Sequence, residues 1–201
     1  MEVSTKNNVK LCLIIGIIAG ISSLSIFNNL GFNLTFLAGV GTVCAFLILT
    51  VSGYFIAYFL RLRIPTIFQF MKFAIIGGMN TMLDLGILNF LIFITGIAAG
   101  VYYSVFKSIS FSIAVTSSYL WNKYWTFQDF NRPQLKEILK FLFVNAIGFV
   151  INVGTASLVV NFVSAPAGIG PQLWANIGAV SSIVISLIWN FIGMKLIVFK
   201  K

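Results

Sequence analysis

"KFAIIGGMNTMLDLGILNFLIFIT", Lys72 to Thr95, decides the fold. As a helix this stretch rises about 36 Å at about 1.5 Å per residue, and a bilayer hydrocarbon core is about 30 Å thick. Its apolar residues occupy consecutive rather than alternate positions, so a barrel strand is excluded and a membrane-spanning helix is predicted. Only Lys72 and Asp84 carry charge, and Gly77, Asn80 and Asp84 share one helical face at i, i+3 and i+7.

The rest of the chain has the same character. Of its 201 residues, 59% are hydrophobic and 8% charged, with a mean hydropathy of +1.02, far more apolar surface than a water-soluble core can hide. Turn-like interruptions divide it into six predicted spans near 11–30, 34–60, 72–95, 102–123, 138–163 and 173–195. The predicted class is therefore an all-α integral membrane protein with six transmembrane helices. Lys6 and Lys10 precede the first apolar run. That run is too long for a signal-peptide core and lacks a small-x-small cleavage site, so it reads as an uncleaved helix.

Charge sets the expected orientation. Twelve of the 13 Lys and Arg residues lie before the first span, between the second and third, between the fourth and fifth, or at the C-terminal end; the other connections carry none. The positive-inside rule then places both termini in the cytoplasm, with the protein in the cell membrane. Arg61, Arg63, Lys136 and Lys140 are also positioned to meet anionic lipid head groups. Cys12 and Cys44 fall inside spans and histidine is absent, so no disulfide framework, metal or cofactor is expected. No nucleic-acid partner is expected, and no ionisable pair at catalytic spacing points to an enzyme.

A fixed offset of 68 residues pairs Pro65 with Pro133, Lys72-Phe73 with Lys140-Phe141, Gly86 with Gly154, Ser118 with Ser186, and Trp121-Asn122 with Trp189-Asn190. Pro, Lys, Trp and Asn are scarce enough here for the match to count. It implies a parallel internal repeat, helices 3–4 and helices 5–6, over about 64–127 and 132–199. The expected domains are a two-helix hairpin, 1–63, and a four-helix membrane domain, 64–201.

The offset also aligns polar positions. The face of Gly77, Asn80 and Asp84 is answered by Asn145, Gly148 and Asn152. The stripe Lys107, Ser110, Ala114, Ser118 and Asn122 is answered by Ala175, Gly178, Ser182, Ser186 and Asn190. Ordinary helix association accounts for the small residues. Asp84 is the sole acidic residue in any predicted span, and a carboxylate at mid-membrane needs a partner; Lys107 is the candidate. Both charges vanish together in the second copy, as Asn152 and Ala175. A structural ion pair and a substrate or proton-coupling site both fit. In "WNKYWTF", Trp121 to Phe127, the rings of Trp121, Tyr124 and Trp125 read as an interfacial belt. Lys123 is placed to offer a cationic donor to phosphate.

"FQFMKFAIIGGMNTMLDLGILNFLI", then "SYLWNKYWTF", then a helix pair ending "WNFIGMKLIVF" resemble the GtrA family, which includes the membrane domain of some dolichol-phosphate-mannose synthases. The resemblance covers about 64–200, its specific elements being Gly77 to Asp84 and Asn122 to Phe127, and says nothing of residues 11–60. It implies a role in cell-surface polysaccharide or glycolipid synthesis, by translocating a polyprenyl-phosphate-linked sugar across the bilayer. On that reading Lys72, Lys123 and Lys140 collect the phosphate. Asn80, Asp84, Asn122, Asn152 and Asn190 bind the sugar, and Lys107 receives the head on the outer side. No ATP-binding loop occurs. The alternative is a non-transporting scaffold that recruits or stabilises a polyprenyl-phosphate glycosyltransferase, its partner in the membrane. A homo-oligomer is compatible with either reading.

Overall fold

The computed structural model describes residues 5–32, 34–168 and 171–200, with side chains at all of these but 65, 171–176 and 179. Among them run six α-helices: α1 (Thr5–Asn29), α2 (Phe36–Leu60), α3 (Pro65–Thr95), α4 (Gly100–Trp121), α5 (Leu135–Phe162) and α6 (Pro171–Gly193). α4 and α6 each run on into a five-residue π-helical turn, Asn122–Thr126 and Met194–Val198. Five of the helical segments are long and apolar enough to cross a membrane. α4 is the exception: its 22 residues suffice in length, but Lys107 and five serines spread over Ser104–Ser117 interrupt its apolar run. The side chain of Ala175, matched to Lys107 by the offset, lies outside the described residues, as do residues 169–170 and Lys201.

Local chemistry sets the boundaries. Thr35 caps α2 by accepting the Ala38 N–H at 3.2 Å, satisfying one of the orphan donors of a first turn. Pro65 opens α3, where a missing N–H costs nothing, and Gly96 closes it in the left-handed conformation at φ 70°. Pro133, by contrast, lies before α5, whose cap is Gln134. The helices α1, α3 and α5 begin several residues ahead of the apolar runs, so the hydrophobic pattern marks what sits in lipid rather than where the helix starts.

The chain packs as two compact units, Met1–Gln128 and Asp129–Lys201. In the first, α1 lies against both α2 and α3, and α3 pairs with α4. Close approach depends on glycine: a Cβ at Gly20 would come within 2.8 Å of the Val43 Cα, and one at Gly86 within 2.6 Å of the Ser22 Cβ. Small residues let membrane helices meet backbone to backbone, where dispersion and short hydrogen bonds replace the missing hydrophobic drive. Those bonds are present. The Ser25 hydroxyl donates to the Gly86 carbonyl at 2.8 Å, Asn29 Nδ2 donates to the Asn89 carbonyl at 2.8 Å, and the Thr50 hydroxyl donates to the Cys12 carbonyl at 3.1 Å. Cys12, Ile15, Tyr54, Phe68, Ile76, Met79 and Trp125 form the core.

The second unit is the α5–α6 hairpin with its π turn. Trp189 Nε1 donates to the Val144 carbonyl at 3.1 Å, and Gly193 allows α6 to rest on the Val144 side chain.

Candidate functional site

The α3–α4 hairpin brings Asp84 and Lys107 together. Lys107 Nζ lies 2.5 Å from Asp84 Oδ2, and the Ser110 hydroxyl donates to Asp84 Oδ1 at 2.7 Å. Both carboxylate oxygens are thus engaged, as a charge in a low-dielectric setting requires. Ser110 is fully buried, whereas the side chains of Asp84 and Lys107 are 20% and 40% exposed. Antiparallel packing makes the pair: Asp84 lies twelve residues into α3 from Lys72, about 18 Å along the axis. Ser110 belongs to the small-residue stripe of α4, but nothing in its local sequence distinguishes it from the other serines there.

In the second unit Asn152, matched to Asp84, makes a neutral contact at a different point of the facing helix: its Nδ2 donates to the hydroxyl of Ser186, the residue matched to Ser118, at 3.1 Å. Asn145 donates to the Phe141 carbonyl of its own helix at 2.8 Å. Asn190 Oδ1 is buried without a hydrogen-bond partner and faces Gly148, where a Cβ would overlap the amide.

The far end of the first unit differs from the expectation of a head-group layer. Lys72 and Lys123 are 1% and 0% exposed, inside the protein. Trp125, read as part of an interfacial belt, is 1% exposed and donates its indole N–H to Asn8 Oδ1 of α1 at 2.7 Å. The physical reason is the π turn. Phe127 N–H reaches the Asn122 carbonyl at 2.9 Å, five residues back. The widened turn rotates Lys123, Trp125 and Thr126 into the protein, leaving Tyr124 outward. Lys72 Nζ lies 4.5 Å from the centre of the Phe68 ring and 5.2 Å from that of Trp125, and Arg61 stands over Tyr58 at 4.3 Å. Cation–π attraction strengthens when the cation is desolvated, so these rings provide part of the solvation that buried ammonium groups lose. Trp121 is half-buried beside Trp125.

Two polar groups join this end: Asn122, whose Nδ2 donates to the Ser118 carbonyl at 2.9 Å while Oδ1 is buried without a partner, and Thr126, whose hydroxyl is likewise unpartnered. Asn80, nearer the ion pair, has neither amide atom partnered. Lys140 is half-buried at the start of α5, and Lys136 and Arg132 are exposed. Sequence reasoning identified the ion pair but missed Asn8, Thr126 and the inward turn of Trp125. A polar Asn7-Asn8 ahead of the first apolar run was the available signal. Among the described residues, no cluster of His, Cys, Asp or Glu is suited to a metal.

The second π turn lies 72 residues after the first, not 68. Asn122 therefore opens its π turn, whereas Asn190 sits four residues ahead of its own; Lys123 and Lys195 are the residues that share a place in the turn.

Comparison with known proteins bears on residues 72–199, which match the family model "GtrA/DPMS, transmembrane domain". A relative described as the uncharacterized membrane protein YngA of Bacillus subtilis (strain 168) is 29% identical over 117 residues, covering 51% of this chain and 76% of its own length. No solved structure is a significant match. With the family model spanning more than half of the chain, the protein belongs to the GtrA/DPMS transmembrane-domain family and is a multi-pass membrane protein.

Proposed function

We propose that the protein acts in glycolipid or polysaccharide synthesis by moving a polyprenyl-phosphate-linked sugar across the cell membrane, with both termini cytoplasmic. The single observation that carries this reading is the Asp84–Lys107–Ser110 cluster. In the α5–α6 hairpin Asn152, matched to Asp84, makes an uncharged contact with Ser186, so packing of such a hairpin does not in itself require a carboxylate and an ammonium. An ion pair held partly exposed at this depth is costly for packing and suited to receiving a charged head group. The lipid's phosphate competes with Asp84 for Lys107, and its tail remains in hydrocarbon throughout.

The π turns that end both hairpins support reading 64–127 and 132–199 as repeated units. Surface capture of the phosphate falls to the exposed Lys136 and half-buried Lys140. Lys72 and Lys123, enclosed in this structure, take part once the α3–α4 seam opens. Asn122 supplies hydrogen bonds to the sugar.

Outer-leaflet exposure of sugar lipid in a null strain tests the reading. Wild type restores it, and Asp84→Asn is expected not to. Restoration by Asp84→Asn, together with co-purification of a glycosyltransferase that survives the substitution, would instead make the protein a scaffold.

A further inference from the structure

Asn80 lies one helical turn from Asp84 on the same face of α3 and is 9% exposed, yet neither Nδ2 nor Oδ1 has a hydrogen-bond partner. Three other asparagines secure a bond to the carbonyl four residues back: Asn89 to Leu85, Asn122 to Ser118, Asn145 to Phe141. Asn80 does not, so its amide is turned away from its own backbone and carries the desolvation cost of a donor and an acceptor together. Beside it α3 is notched. A Cβ at Gly77 or Gly78 would touch nothing within 4 Å.

We infer that Asn80 reads the sugar of the transported lipid, while Lys107 takes its phosphate. The inference rests on the transport reading above and adds the residue that sets its selectivity. Phosphate oxygens only accept hydrogen bonds, so they would satisfy Nδ2 and repel Oδ1. A sugar hydroxyl donates and accepts, and satisfies both. Four residues separate Asn80 from Asp84, about 6 Å along the helix, the scale of one sugar ring beyond its phosphate. Asn80 lies on the cytoplasmic side of the ion pair, given the orientation set by the basic connections. A lipid bound to both residues therefore has its sugar on the cytoplasmic side of its phosphate, the order of a molecule loaded from the inner leaflet. Because the amide is closed off in this structure, loading opens the α3–α4 seam beside the glycine notch.

The test uses the full-length protein in liposomes with two labelled probes, polyprenyl-phosphate-glucose and polyprenyl phosphate without sugar, in wild type, Asn80→Leu and Asn80→Ser. Asn80→Leu is expected to slow exchange of the sugar lipid at least tenfold, about one or two net hydrogen bonds. Exchange of the bare lipid should stay within about twofold, the control that the variant is folded. Asn80→Ser, with a hydroxyl that donates and accepts, is expected to recover part of the lost rate. Equal slowing of both lipids in both variants, or no slowing of either, overturns the assignment while leaving transport standing. Wild type that moves neither lipid removes the transport reading and this inference with it.

Discussion

The α3–α4 and α5–α6 hairpins have similar ends and different middles. Each closes with a five-residue π turn carrying lysine at its second position. Between the helices, the first hairpin holds a carboxylate, an ammonium and a serine, and the second an asparagine and a serine. Glycines matched by sequence also differ: Gly86 is pressed against Ser22 of α1, whereas a Cβ at Gly154 would touch nothing within 4 Å. The residue types thus decide which hairpin carries charge, while contacts decide which glycine bears load.

The largest expected effect breaks the glycine contrast. Gly86→Leu drives a branched side chain into the Ser22 backbone, at a cost of about 3 kcal/mol or more. Thermal unfolding in detergent should show it, and Trp125 fluorescence should report loosening of α1. Next comes the ion pair. Lys107→Ala leaves Asp84 uncompensated and should cost about 2 kcal/mol, below the value for a fully buried pair because both partners are partly exposed. The double variant Asp84→Asn with Lys107→Ala, which carries the uncharged residues of the second hairpin, should recover most of that stability without recovering transport. A double-mutant cycle measures the coupling.

Asn8→Ala leaves the buried Trp125 indole N–H without its acceptor, an expected loss of about 1–2 kcal/mol. Pairing it with Trp125→Phe should cost less than the two single changes combined. The smallest effect is Gly154→Ala, expected to be neutral or to stabilise by up to about 1 kcal/mol from helix propensity. A loss comparable to that of Gly86→Leu would show that the two positions are not distinguished in the way the contacts imply.

Much of the helical architecture was legible because lipid imposes a simple rule: long consecutive apolar runs become helices. The Asp84–Lys107 bond was legible because two opposite charges among so much hydrocarbon have few other partners. The inward course of Trp125 and Lys123 was not. It depends on a π turn, whose extra residue has no signature in hydropathy, and on Asn8, 117 residues away in the chain. The position of Lys72 depends on the ring of Phe68, one turn back on its own helix, and on that of Trp125, brought in by the π turn. A lysine beside an apolar run looks the same whether it snorkels to water or is enclosed by Phe68 and Trp125. The contribution of α1 lies outside the family-matched residues, yet its bonds at Asn8, Ser25 and Asn29 all reach into them.

The most direct test is leaflet exchange of a labelled polyprenyl-phosphate-glucose by purified protein in liposomes, wild type against Asp84→Asn. Exchange by wild type that falls at least tenfold in Asp84→Asn is the predicted result. Exchange at equal rates in the two would contradict the central claim, that the charged middle of the α3–α4 hairpin carries the transported head group.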